Sequence, residues 1–168
     1  MPRSILLALA VALPALAPLP SAAEEAAPAP VSTGLTASVS LGGGGELGLD
    51  SGKAGVMELE AAVGYEITSV GLRPELALAF GLAPDTNVAL RPGARWTIPD
   101  FPIQLRVAVD LSNARDNGLR WRWLLVGAAA EVRLTSLFGL YGEIDTGAPL
   151  GSEAGLPLLL RGGASFRF

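Results

Sequence analysis

The feature that most restricts this chain is a two-residue alternation that runs to its last residue. In Leu158 to Phe168, Leu158, Leu160, Gly162, Ala164, Phe166 and Phe168 fall on one face of an extended segment. Leu159, Arg161, Gly163, Ser165 and Arg167 fall on the other. Large aromatics on one side and guanidinium groups on the opposite side are unusual for a strand of a water-soluble domain. Every strand that pairs with this one must suit both faces.

The same period recurs upstream, between breaks of Gly, Pro, Asp, Asn and Ser. A first strand over about Thr33 to Leu41 sets Leu35, Ala37, Val39 and Leu41 against Thr36, Ser38 and Ser40, and a Gly-rich stretch from Gly42 to Gly55 follows. A second sets Met57, Leu59, Ala61, Val63 and Tyr65 against Glu58, Glu60 and Gly64. A third sets Val70, Leu72, Leu76, Leu78 and Phe80 against Arg73 and Glu75; a fourth sets Val88, Leu90, Trp96 and Ile98 against Arg91 and Arg95. The fifth is the cleanest, with Ile103, Leu105, Val107, Val109 and Leu111 opposite Gln104, Arg106, Ala108, Asp110 and Ser112. The sixth opposes Leu124, Val126, Ala128, Ala130 and Val132 to Glu131 and Arg133, and the seventh opposes Phe138, Leu140 and Ile144 to Tyr141, Glu143 and Asp145. The terminal strand is the eighth. No helical period of any length interrupts them. The pattern predicts an all-β, eight-stranded antiparallel up-and-down barrel over 32–168.

Alternation alone fits two barrels: one apolar inside, as in a secreted lipocalin-like carrier, and one apolar outside, as in a membrane. Three observations favour the second. The polar face mixes charges with many Gly, Ala and Ser, as a narrow lumen requires. On it, Glu58, Glu60, Glu75, Asp110, Glu131, Glu143 and Asp145 meet Arg73, Arg91, Arg95, Arg106, Arg133, Arg161 and Arg167. Such numbers suit pairing across a confined interior, where a lone charge is costly. Next, the aromatics gather at strand ends: Tyr65, Trp96, Phe101, Phe138, Phe166 and Phe168 toward the side of the termini, and Phe80, Trp121 and Trp123 toward the other. Two girdles are what a slab of hydrocarbon calls for. Finally, the turns on the terminal side are short, and three of the four opposite them are longer.

The ending Phe166-Arg167-Phe168, together with this strand pattern, resembles the small eight-stranded bacterial outer-membrane barrels of the OmpA/OmpX type. The resemblance covers about Val31 to Phe168. It implies a transmembrane barrel, and it implies that the assembly machinery of the outer membrane reads Phe166 and Phe168 as a C-terminal signal. Ala164 and Gly162 depart from the larger apolar residues usual there.

Composition agrees. Half of the 168 residues are hydrophobic and 17% are charged, yet beyond the N-terminus no run reaches the about 20 apolar residues of a membrane helix. Residues 1–23 read as a signal peptide: Arg3, an apolar core from Ile5 to Leu13, and Ser21-Ala22-Ala23 for cleavage near Ala23. Residues 24–31 read as a flexible lead-in. The net charge of −4 argues against nucleic acid as a partner, and the absence of Cys and His removes the usual thiol nucleophile and general base.

Candidate chemistry is sparse. Gly42 to Gly45 lacks the Lys-Ser/Thr and the helix of a phosphate loop, so an external hairpin is expected there. Asp110, Asp116, Glu143 and Asp145 match no metal-loop spacing. No enzymatic activity, cofactor or metal is expected. Arg115, Arg120 and Arg122 near the external rim suit either lipopolysaccharide phosphates or salt bridges with Asp116. In the sixth strand, Trp121 and Trp123 share the parity of Glu131. Either a bulge near Leu124 to Val126 restores them to the outer face, or they fill the upper lumen. The expectation is a monomeric outer-membrane protein with a structural or surface-interaction role through its external loops and a lumen filled by Arg–carboxylate pairs. A narrow porin-like channel and a secreted small-ligand carrier are the alternatives.

Overall fold

The computed structural model describes residues 34–48, 55–84, 86–113, 118–151 and 154–168. The signal-peptide reading of 1–23 and the lead-in at 24–31 lie outside them. Eight strands follow in order: β1 Gly34–Leu47, β2 Gly55–Glu66, β3 Leu72–Ala83, β4 Asn87–Thr97, β5 Ile103–Ser112, β6 Arg120–Arg133, β7 Phe138–Pro149 and β8 Leu156–Arg167. Each pairs antiparallel with its neighbour in sequence, and β8 pairs back onto β1 to close the barrel. Closure leaves no sheet edge. The seam runs Thr36 opposite Arg167 through Leu47 opposite Leu156, and the Phe168 amide donates to the Leu35 carbonyl at 2.9 Å.

The turns on the terminal side have identifiable chemistry. Between β2 and β3, Gly71 adopts φ +65°, which costs glycine nothing, and its amide donates to the Thr68 carbonyl. Between β4 and β5, Asp100 takes φ +64°, a conformation Asp tolerates better than most residues. Between β6 and β7, the Thr135 hydroxyl accepts from the amides of Leu137 and Phe138, closing the turn by side chain.

Two departures from the expected strands have physical causes. β1 continues to Leu47, so Gly42 to Gly45 lie within the sheet rather than in a hairpin. The backbones approach closely there. A Cβ on Gly43 would stand 2.8 Å from the Val56 carbonyl, and Cβ atoms on Gly42 and Gly44 would collide with the carbonyls of Leu160 and Leu158. In β6 the bulge is at Arg122, earlier than expected: Asp110 pairs with Trp123 while Leu111 pairs with Trp121. The extra residue reverses parity between the two tryptophans.

Burial follows the alternation with inverted polarity. Most Leu, Val and Ile of the strands point outward and are exposed, Leu125 and Leu159 being buried exceptions, while most strand charges are buried. Among the described residues the exposed charged side chains are Asp100, Arg120 and Arg133, all in a turn or at a strand end. Between them the outer surface carries no charge. Strands of 10 to 14 residues match the about 9–11 tilted residues that cross a hydrocarbon core.

Candidate functional site

The lumen holds the chemistry of this molecule. Its wall carries small residues (Ala62, Ala77, Ala79, Ala89, Ala108 and Ala129), all buried. They leave cross-sectional room for long side chains from the opposite wall. Arg91 of β4 is the hub of one half. Its Nη1 and Nη2 meet the two oxygens of Glu58 at 2.6 and 2.8 Å, its Nη1 also reaches Glu60 at 2.8 Å, and its Nε meets Asp110 at 2.7 Å. A planar fork of donors suits this bidentate arrangement.

Arg106 of β5 lies 2.9 Å from Glu60, Glu75 and Glu143, and 3.2 Å from Asp145. Arg161 of β8 contacts Glu58 at 3.4 Å and Glu143 at 2.5 Å, and pairs with Glu60 and Asp145. Arg95 joins Glu75 at 2.8 Å to Glu143, with its guanidinium over the Tyr141 ring at 5.6 Å. Six carboxylates and four guanidiniums from β2, β3, β4, β5, β7 and β8 thus form one continuous network. Gly127 makes room for part of it, since a Cβ there would collide with Asp145.

Nearer the termini lies a second cluster. Glu131 accepts from Gln104 at 2.7 Å, Ser165 at 2.5 Å and Arg167 at 2.7 Å, and Arg167 also reaches Glu66 at 3.3 Å. Arg73, half-buried, donates to Gln104 and stands 3.8 Å from Glu75.

The opposite end is built differently. Trp123, 1% exposed, packs with Leu125, Ala108 and Ala154, and its indole N–H donates to the Gly155 carbonyl at 3.1 Å. The Arg122 guanidinium lies 4.0 Å over the Trp123 ring and pairs with Glu46, whose other oxygen accepts from the Gly155 amide at 3.0 Å. Cation–π stacking, an ion pair and two backbone bonds join β1, β6 and the segment before β8.

The structure therefore brings together all seven carboxylates singled out from the sequence, and six of the seven arginines, with Arg73 only half-buried. Arg133 is the exception. Its parity points inward, but it ends β6 beyond the lumen, its side chain is 55% exposed, and Glu66 at 3.9 Å is its partner. Trp123 belongs inside rather than to the outer girdle, because the bulge at Arg122 precedes it and leaves it on the inward parity of Glu131. Tyr65, Phe80, Trp96, Phe101, Trp121, Phe166 and Phe168 face outward and exposed, and Phe138 stacks on Phe166 with ring centroids 5.4 Å apart. Glu46 and Arg122 went unassigned to the interior. Extending the parity of Thr36, Ser38 and Ser40 through the glycines would have found Glu46. Of the proposed rim arginines, Arg120 is exposed and Arg122 is committed to Glu46. Arg115 and Asp116 lie outside the described residues.

No family model matches the chain, and none of the curated proteins matches it significantly in sequence. Solved structures do match in shape. A de novo designed transmembrane β-barrel superposes with a TM-score of 0.53 at 12% identity, over 83% of this chain and 98% of that one. The N-terminal β-barrel domain of Pseudomonas aeruginosa OprF gives 0.53 at 13%, over 79% and 97%. Neisserial surface protein A gives 0.51 at 13%, over 81% and 97%. At such identities the likeness is one of fold: the chain has the closed eight-stranded architecture of small outer-membrane barrels.

Proposed function

We propose that this chain is an integral protein of a Gram-negative outer membrane, acting as a structural or surface-interaction protein through the loops opposite its termini. One observation carries the reading: the outer face is uncharged between strand ends while the ionic groups are buried inside. In water that arrangement would expose a wide apolar surface and bury charge at high cost. In a bilayer the apolar surface meets hydrocarbon, the lumen is the face that keeps the charges out of it, and the aromatic residues at the two ends sit at headgroup depth. Residues 1–23 would direct export, Phe166 and Phe168 would be read by the barrel assembly machinery, and Arg120, which is exposed, would contact lipopolysaccharide phosphates.

A polar lumen also favours a narrow channel as a second reading. Against it stands the stack of side chains along the axis: two ionic clusters and, beyond them, Trp123, Leu125 and Leu159, each at most 1% exposed. We read the lumen as plugged, with no catalytic role. The test is separation of inner from outer membranes, followed by electrophoresis with and without prior heating. The protein should track with the outer membrane and change mobility on heating; recovery in the soluble fraction would refute the reading.

A further inference from the structure

The outer face of the barrel is not evenly filled. Ile103 of β5, Ala130 of β6, Gly142 of β7, Gly162 of β8 and Leu41 of β1 stand in one lateral row, so three neighbouring strands carry almost no side chain there. The result is an open hollow of about 460 Å³, walled by Ile103, Ile144 and Leu160 over Ala128, Ala130 and Gly142. Glu143 and Arg161 border it, but their charged ends pair with each other inside the lumen. No other side chain on its lining is polar.

The barrel's own packing does not keep these positions bare. A Cβ on Gly44, Gly93, Gly127 or Gly163 would meet other atoms closer than 3.0 Å. One on Gly142 meets nothing within 4 Å, and one on Gly162 meets only the Tyr141 carbonyl at 3.9 Å. Depth decides what fills the space. Gly142 and Gly162 lie four residues along their strands from Phe138 and Phe166, the stacked pair of the terminal-side girdle. Four residues of a tilted strand rise about 10 Å along the membrane normal, within the about 15 Å half-thickness of the hydrocarbon. The hollow is therefore continuous with the lipid-facing band. Water there would lack polar partners, and a void would forfeit the contacts of the lining.

We propose that this hollow is a lipid site, holding one acyl chain of a phospholipid from the leaflet on the side of the termini. The headgroup lies at the level of Phe138 and Phe166, and the chain packs over Gly142 and Gly162 against Ile144 and Leu160. The site rests on the transmembrane reading of the barrel and goes beyond the surface role proposed above.

Native mass spectrometry tests it, on protein folded in vesicles of phosphatidylethanolamine and phosphatidylglycerol and then extracted in detergent. One phospholipid should remain on each chain. Gly142→Leu/Gly162→Leu fills the hollow with side chains and should lose that lipid while keeping its heat-sensitive mobility. Ala130→Leu, which fills it from β6 and leaves both glycines in place, should lose it too. Ala61→Leu, on the outer face of β2, should retain it. Absence of bound lipid on the unsubstituted chain, retention unchanged in both filled variants, or a dimer that the filled variants dissociate would each overturn the proposal. A chain that never enters the vesicles would overturn the transmembrane reading, and the site with it.

Discussion

Arg91 and Glu58 face each other end to end across the lumen, joined by two hydrogen bonds of 2.6 and 2.8 Å between a pair of nearly inaccessible side chains. The two strands involved, β2 and β4, are not neighbours in the sheet. The contact therefore braces the barrel through its centre rather than around its wall.

Removing one end of that brace strands the other. Arg91→Met leaves Glu58, Glu60 and Asp110 without their shared cation. It should cost about 3–5 kcal/mol, the usual result of breaking a buried pair from one side. Arg91→Met/Glu58→Gln should cost less than the sum of the two single changes. Urea titration of protein folded in lipid vesicles measures both. Additive losses would mean that the two residues do not interact.

Two adjacent residues of β5 separate the faces. Val107 is 51% exposed and Ala108 is buried against Trp123 and Leu125. Val107→Arg sets a charge in the apolar band and should cost about 2–4 kcal/mol in a bilayer. Ala108→Val adds volume to a filled interior and should cost about 1–3 kcal/mol. The first penalty should shrink when the protein is moved from vesicles to short-chain micelles, and the second should not.

Glycines differ in what they protect. Gly44→Ala drives a methyl group into the Leu158 carbonyl, whereas a Cβ on Gly142 meets nothing within 4 Å. Refolding yield, read from heat-modified mobility, should fall sharply for Gly44→Ala and stay near that of the unsubstituted chain for Gly142→Ala. Equal yields would refute the close β1–β8 approach.

Trp123 is the bulkiest of the fully buried side chains and closes the end of the lumen opposite the termini. Trp123→Ala should cost about 3–5 kcal/mol. It should also raise single-channel conductance in planar bilayers above that of the unsubstituted protein. Open, steady conductance before any substitution would contradict a plugged lumen.

Much of this structure is legible because a barrel writes its polarity into every second residue. Parity puts Arg106 and Asp110 on one face and Leu105 and Val107 on the other, and the opposed charges and aromatic girdles say which face looks inward. What escaped was phase. A single extra residue, Arg122, sends Trp121 out and Trp123 in, and parity counted from either side cannot say where the slip occurs. Arg133 has inward parity but lies past the rim, and depth along the axis is not a local property of sequence. Gly42 to Gly45 resemble a loop because glycine carries no side-chain pattern. Their strand character comes from β2 and β8 on either side, and with it came the position of Glu46.

The inverted polarity itself is tested most directly by the three tryptophans. In vesicles of lipids brominated along their acyl chains, single-Trp variants retaining Trp96 or Trp121 should be strongly quenched. The variant retaining Trp123 should keep its fluorescence and resist aqueous iodide as well. Quenching of Trp123 by the brominated chains, with Trp96 and Trp121 reached only by iodide, would place the apolar face inside and contradict the account.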